Sequence, residues 1–458
     1  MKKRILIAVC AIAMFLSVML ASVSCTSGGI ASAEINEDGE LILIYDDGRE
    51  QNLGIVVGRD GADGKDGIDG ENGVDGVDGE DGADGKDGAD GTNGSLTVTS
   101  GSDNIAIASA KGLRSAVSII CNFTATVQQG GWRPSTTTKE YASAGSGVIY
   151  SLDKSEGDAF IITNYHVVYD SSSNTKNGIS EDINIYLYGS ELEEKAIKAT
   201  YIGGSLYYDI AVLHVDNSEI LKASDVCAVE IADSDKVSVG DAAIAIGNAK
   251  GFGISASFGI VSVDSEYITM AAADGKTEVS FRLMRVDTAV NSGNSGGGLY
   301  DGEGRLIGIV NAKIVDDGVE NIGYAIPSNI AVSIAENIID YCFGTDLERV
   351  QRAMLGIVVS AIDSKAVYDT ASGSISINET VTVYEISESS LAYGALQAED
   401  ILLRAKLNGK TVEITRQYHI IDLMLDVRVG DTVEITILRG GEEKTVSVKI
   451  SEGCLTEY

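Results

Sequence analysis

The spacing of apolar residues changes several times along the chain, and each change predicts a different kind of structure. Residues 5–23 form an apolar run behind Lys2, Lys3 and Arg4. A basic start followed by such a run reads as an export signal. Leu41-Ile42-Leu43-Ile44-Tyr45, then Asp46-Asp47-Gly48 and a second short apolar stretch, predicts a small β-hairpin. Between Gly58 and Gly94 the apolar pattern vanishes. After Ser95 it returns as short runs rich in β-branched residues, among them 144–151, 160–168, 183–188, 210–215, 242–246, 259–263, 306–312 and 323–326. Many short strands separated by Gly and Asp predict an all-β barrel or sandwich. Residues 328–341 carry helical apolar spacing. A further set of strand-like runs starts near Gln351.

The chain has 458 residues, enough for two or three domains, and is 44% apolar, enough for a sizeable core. It carries 68 acidic against 34 basic residues, for a net charge of −34. That balance argues against nucleic acid as a partner, because phosphates need Lys and Arg to neutralise them. Adhesion to anionic lipid is disfavoured for the same reason. Six Cys in a chain of this length make no disulfide scaffold, and no C-x-x-C or other ligand spacing predicts a metal site. No cofactor is implied.

Three fates are open for the N-terminal segment. Ser22-Val23-Ser24-Cys25 resembles a bacterial lipobox, which makes Cys25 the lipidation site, although Ser22 stands where a large aliphatic residue is usual. Ala31-Ser32-Ala33 offers an ordinary cleavage site. Retained, the run is an anchor with its basic end inside. All three place the rest of the chain outside the cytoplasm, at the outer face of the membrane or the cell surface.

Gly58 opens twelve unbroken G-x-y triplets that end at Gly91-Thr92-Asn93, with Asp at y in ten of them. Only Gly fits the axis of a triple helix, so this run resembles bacterial collagen-like segments. It departs from them in lacking Pro, and its twelve acids face three bases, so three chains in register repel. A disordered acidic spacer is the other reading. As extended chains the triplets span on the order of 110 Å. On either reading the run holds something away from a surface.

Only three His are present, so His chemistry has few candidates. His214 lies inside an apolar strand and His419 opens a helix, both ordinary structural places. His166 closes the run Phe160-Ile161-Ile162-Thr163-Asn164-Tyr165. Asn291-Ser292-Gly293-Asn294-Ser295-Gly296-Gly297-Gly298 surrounds a serine with the glycines that a tight, oxyanion-facing backbone requires. Asp209 leads directly into an apolar strand, where a carboxylate needs a partner. The order His166, Asp209, Ser295 is that of the chymotrypsin arrangement of a catalytic triad. Taken singly, each of the three also has a structural explanation: a strand-end histidine, a solvated strand-entry acid, a Gly-rich turn.

Together with Gly145-Ser146-Gly147-Val148, Thr163-Asn164-Tyr165-His166-Val167-Val168, Asp209-Ile210-Ala211-Val212-Leu213, Ser257-Phe258-Gly259-Ile260-Val261-Ser262 and Gly293-Asn294-Ser295-Gly296-Gly297, the chain resembles the HtrA/DegP serine proteases. The resemblance implies a mostly β fold: a chymotrypsin-like double β-barrel over 104–345, then an α+β PDZ domain over 350–458. Ahead of these lie a signal or lipoprotein segment (1–24), a hairpin region (25–57), the collagen-like stalk (58–94) and a linker (95–103). It further implies Ser295 as nucleophile, His166 as base, Asp209 as orienting acid, and Gly293, Asn294 and Ser295 as the oxyanion hole. Ala289, Asn321, Ile322 and Gly323 are expected to line the S1 pocket. Ala289 is no charged base, so small or aliphatic P1 residues are expected. Residues 128–141, with Trp132, should form a variable regulatory loop. Gly298 and Ser292 stand where the family usually has Pro, and are expected to loosen the nucleophile loop.

Leu355-Gly356-Ile357-Val358 resembles the carboxylate-binding loop of a PDZ domain, with 417–425 as its groove helix. Such a groove adds a peptide as an extra strand and holds its C-terminus. The expected partners are therefore unfolded polypeptides and peptide C-termini, with a homotrimer compatible with the stalk and a membrane tether at the N-terminus. Two functions stay open: an extracytoplasmic protease of unfolded proteins, or a displayed binding or chaperone protein with weak or no protease activity.

Overall fold

The computed structural model describes residues 30–35, 40–45, 49–55, 101–129, 135–190, 195–312, 322–370 and 373–457. The export segment, the proposed lipidation site Cys25, the G-x-y run and the S1 candidate Asn321 lie outside them. Residues 1–92 and 93–458 form separate units. In the first, β1 (Ile30–Ile35), β2 (Glu40–Tyr45) and β3 (Glu50–Ile55) make an antiparallel sheet in that order.

The second unit opens with helix α1 (Gly101–Leu113). A closed barrel follows, built from β4 (Ala116–Gln129), β5 (Ser135–Asp153), β6 (Asp158–Thr163), β7 (Asp182–Leu187), β8 (Ile197–Ser205) and β9 (Ile210–Val215) in the order β4-β5-β6-β9-β8-β7. A second closed barrel has the same arrangement: β10 (Ala242–Gly247), β11 (Ser255–Ala271), β12 (Glu278–Val286), β13 (Gly298–Tyr300), β14 (Leu306–Val310) and β15 (Gly323–Pro327), ordered β10-β11-β12-β15-β14-β13. Closure removes exposed strand edges from both.

The apolar runs explain the barrels. Strands β6 and β9 are apolar at successive positions because both of their faces are covered. Ile161, Ala211 and Leu213 fill the first barrel. Their neighbours Ile162, Ile210 and Val212 join a cluster between the barrels, with Ile244, Ile246, Phe281 and Tyr300. Helix α2 (Tyr165–Val168) closes β6, and α3 (Glu219–Ala223) follows β9 with Ser218 capping it. Helix α4 (Ser328–Cys342) lays Ile330, Ile334 and Ile338 on the central cluster. Cys121 is buried inside the first barrel, and burial pushes its thiol up to about 12.

The stretch expected as a loop at 128–141 is mostly strand. Residues 123–128 pair with 136–141 in an extension of the β4–β5 hairpin. Thr136, Thr137 and Thr138 are β-branched and favour that pleated pairing.

The last part holds β16 (Gln351–Ala353), β17 (Ile357–Tyr368), β18 (Ile375–Ile386), β19 (Ile401–Leu407), β20 (Lys410–Glu413), helix α5 (Gln417–Leu423), β21 (Thr432–Arg439), β22 (Glu442–Lys449) and β23 (Leu455–Glu457). The main sheet runs β17-β18-β19-β21-β22, so β17 is an edge. Its core, with Val381, Val383, Leu402, Ile420 and Ile435, is separate from the barrels.

Candidate active site

His166 stands in α2, one turn past the end of β6, with its side chain partly open to solvent. Asp209 opens β9, is 5% exposed, and adopts a left-handed φ of 55°. That conformation costs an L-residue on the order of 1 kcal/mol. Its contacts account for it. The main-chain carbonyl of Asp209 accepts from Tyr165 N at 3.1 Å and from Asn164 Nδ2 at 2.9 Å. Its carboxylate accepts from His166 N at 2.9 Å, meets His166 Nδ1 at 2.6 Å, and accepts from Asn311 Nδ2 at 2.9 Å. A carboxylate on Nδ1 keeps the proton of the neutral ring on that side and leaves Nε2 as the base.

Ser295 lies in the loop that joins β12 to β13 and is 5% exposed. Two left-handed glycines shape the loop, Gly293 at φ 96° and Gly296 at φ 82°. Ser146 holds it from the first barrel. Its N–H donates to the Ser295 carbonyl at 2.8 Å, and its hydroxyl donates to the Gly293 carbonyl at 2.7 Å while accepting from Asn248 N at 2.8 Å. From the second barrel, Val310 O accepts from Gly296 N at 3.0 Å. A β-carbon at Gly296 would fall 2.3 Å from Thr163 Oγ1 and 3.0 Å from Asn164 N. The serine loop thus lies directly on the strand end that carries His166. Among the described residues no hydrogen bond joins the Ser295 hydroxyl to His166. Among the same residues the Gly293 and Ser295 N–H groups have no partner, while Asn294 N is bonded to Asn291 O at 2.9 Å. Of the oxyanion-hole candidates, Gly293 and Ser295 therefore keep donors available and Asn294 does not.

The S1 candidates are partly brought together. The Ala289 carbonyl accepts from Ser257 Oγ at 3.1 Å and Asn294 Nδ2 at 3.4 Å, tying it to the serine loop. Gly323 abuts Val290, since a β-carbon there would fall 2.6 Å from Val290 Cγ2. Ile322 is half-buried beside it. Val290, Asn311 and the bridging role of Ser146 were not foreseen. Gly298 was expected to loosen the loop. Instead the Tyr300 ring fills the space, 2.5 Å from where a β-carbon would stand, and residues 294–300 are all buried.

Models of known families match three stretches: a trypsin-like peptidase domain at 145–309, a PDZ domain at 353–450, and a collagen triple helix repeat at 52–100. The Do-like serine protease HtrA of Lactococcus lactis subsp. cremoris (strain MG1363) is 33% identical over 323 residues, covering 68% of this chain and 72% of that protein. The chain belongs to the HtrA family of serine proteases. It is a serine endopeptidase with a trypsin-like protease fold and a PDZ domain. The periplasmic pH-dependent serine endoprotease DegQ of Escherichia coli (strain K12) is 31% identical over 322 residues, 69% of this chain and 61% of that one. Among solved structures, the HtrA-type protease AlgW with decapeptide aligns at 23% identity and a TM-score of 0.48, over 77% of this chain and 99% of that chain.

In the PDZ domain of this HtrA chain, Gly356 takes a left-handed φ of 70°, and a β-carbon there would strike Ser390 at 2.2 Å. Its carbonyl accepts from Ser387 N at 3.0 Å. Leu355, Gly356, Ile357 and Val358 border a cavity of about 380 Å³, with Ile420 and Ile421 of α5 and Met424 just past it opposite. Tyr267, from the protease strand β11, lines the same cavity. His214 is packed between Phe160 and Phe343, at 4.9 Å from each ring, and His419 Nδ1 accepts from Thr415 N at 3.2 Å. Both have the structural roles expected of them.

Proposed function

We propose that this HtrA-family enzyme is exported and cuts unfolded or misfolded polypeptides by acyl transfer, with Ser295 as nucleophile, His166 as general base and Asp209 as the group that orients it. His166 Nε2 takes the Ser295 proton as the hydroxyl attacks the peptide carbonyl. Asp209 stabilises the resulting imidazolium. The Gly293 and Ser295 N–H groups receive the oxyanion, and losing one such donor costs about 2.7–4 kcal/mol. Catalytic hydrogen bonds often tighten only when substrate is bound, which accounts for the unmade Ser295–His166 bond. Ala289, Val290 and Gly323 offer no charge to a P1 side chain, which favours small or aliphatic P1 residues. The PDZ groove at Leu355–Val358 takes peptide C-termini.

The remaining assignments follow the same reading. The protease spans 104–345 and the PDZ domain 350–458, borne on the G-x-y stalk at 58–94. The N-terminus tethers the chain to the outer face of the membrane, by lipid at Cys25. A homotrimer joined through the G-x-y stalks is compatible with this reading once the repulsion of their acidic residues is screened. The observation that carries the reading is the three-nitrogen grip on Asp209 beside a serine loop with two free N–H groups.

Degradation of reduced β-casein by the full chain, with Ser295→Ala as control, tests it. Wild type should degrade the substrate and the variant should lose about 10⁶-fold in kcat. Casein left intact by both, even with apolar C-terminal peptides added, would favour the display or binding function.

A further inference from the structure

The PDZ hairpin is longer than its groove. Strands β17 and β18 each run for 12 residues, but the cavity against α5 ends at Val359. Strand β18 pairs with β19 only at Val381 and Thr382. The outer half of the hairpin is therefore a two-stranded ribbon, which is marginal in water without a partner.

A β-bulge marks the transition. Between Ile362 and Lys365 the register shifts, and Asp363 adopts a left-handed φ of 52°. Bulges end or redirect strand pairing, so a peptide added along the free edge of β17 loses its ladder there. The extra residue at this shift sits on β17, so β18 keeps its alternation from Ile375 to Val383. Ile375 and Ile377 then lie on the same face as Val381 and Val383, which are in the core. Directly paired residues share a face, which adds Ala366 and Tyr368. Glu379, which accepts from the start of α5, interrupts this face between Val381 and Ile377. Beyond it the face is apolar again and forms a strip, with Ile377 40%, Ile375 52% and Tyr368 63% exposed.

The direction of the strip follows from α5. Gln417 N, at the start of α5, donates to Glu379 Oε2 at 3.0 Å, so the helix begins beside the bulge. A peptide with its carboxylate at Leu355–Val358 runs antiparallel along β17, passes the first residue of α5, and emerges over the strip. At about 3.3 Å per residue, a peptide of about a dozen residues covers the strand.

We propose that the β17–β18 ribbon is a second subsite of the PDZ groove, which holds apolar residues upstream of a captured C-terminus. The occupant is the same polypeptide that fills the groove, and its chemistry is an apolar stretch ending in a free carboxylate. An unfolded substrate meets both demands, whereas a folded protein exposing only its last few residues does not. The proposal rests on the groove reading above.

The test is fluorescence anisotropy with the full chain carrying Ser295→Ala, so that the probes survive. The probes are a tetrapeptide with an apolar C-terminus, a dodecapeptide extending it with Ile, Val and Tyr, and a dodecapeptide extending it with Ser and Gly. The apolar dodecapeptide should bind about tenfold or more tighter than the other two, the scale set by burying one or two large side chains. Tyr368→Ser with Ile377→Ser should remove that advantage and leave tetrapeptide affinity unchanged. Equal affinity for all three peptides would overturn the ribbon subsite while leaving the groove intact. No binding by any of them would overturn both readings. Undiminished binding of the C-terminally amidated dodecapeptide would show that the ribbon acts without the groove, against the proposal. A change of oligomeric state in the double variant, seen by sedimentation, would make the ribbon a contact between copies instead.

Discussion

Arg282 of the protease strand β12 is ion-paired at 2.7 Å with Asp422 of the PDZ helix α5, and its side chain is 1% exposed. Asp235 approaches the same guanidinium at 2.9 Å, and the Tyr418 ring centroid lies 3.9 Å from its central carbon. A charge this deep depends on its partners, so removing one partner costs more than the pair itself contributes. Arg282→Met should destabilise the chain by about 3–5 kcal/mol, because Asp422 is then buried uncompensated. Adding Asp422→Leu should recover much of that loss. Denaturant midpoints of the two single variants and the double one measure it. Strictly additive losses would mean that the two side chains do not act as a pair.

Asp422 also predicts a pH dependence. Burial raises its carboxyl to about 6 against the opposing pull of Arg282, and Asp235 raises it further. The folded chain therefore holds a proton that the unfolded chain releases between about pH 4 and pH 6. Stability from this group is full at the acid end, falls as pH rises through that window, and is flat above it. The loss is on the order of 3 kcal/mol. The difference in stability between wild type and Asp422→Asn, followed from pH 4 to 7, should show this slope. A difference independent of pH would contradict it.

Ser146 bridges the two barrels through one hydroxyl, between Asn248 N and the Gly293 carbonyl. Ser146→Ala leaves both groups unsatisfied, at a cost of about 1–3 kcal/mol. Because Gly293 belongs to the proposed oxyanion hole, kcat should fall while KM stays nearly constant. Steady-state kinetics on a short chromogenic peptide separates the two. A rise in KM alone would place Ser146 in substrate binding.

Asn311 donates to the same Asp209 oxygen that faces His166. Hydrogen bonds to charged groups contribute about 1.5–3 kcal/mol. Asn311→Ala should therefore lower kcat by about 10- to 100-fold. Asn311→Ser, which keeps a donor, should restore part of the rate. An unchanged kcat in Asn311→Ala would reduce Asn311 to a packing role.

The strands and three candidate side chains were legible because their signals are local. Unbroken apolarity in β9 follows from both of its faces being covered. Gly293 and Gly296 advertise left-handed backbone in any sequence. Asn311 was not legible, since its contact with Asp209 spans 102 positions and an amide at a strand end carries no periodic mark. Val290 passed as an ordinary apolar residue until Gly323 was found against it. Residues 128–141 were expected as a loop from the family resemblance alone, although the run Thr136-Thr137-Thr138 favours strand. Gly298 looked slack only because the ring of Tyr300, two residues on, is invisible to a local pattern.

Helix α1 precedes the first barrel in the chain but is fastened to the second. Gly112 lies so close to Ile246 and Tyr300 that a β-carbon would collide with both. The Tyr300 hydroxyl is 3.0 Å from that of Ser115, and Lys111 Nζ donates to the Glu303 carbonyl at 3.0 Å. Tension applied to the chain ahead of residue 101 therefore does not begin by peeling β4 from its neighbours. It reaches first β13, the strand that follows directly on the Ser295-Gly296-Gly297 turn. A pull on the chain ahead of residue 101 would load β13 and the nucleophile loop before either barrel opened, so any tether at the proposed stalk would bear on the enzyme's turnover.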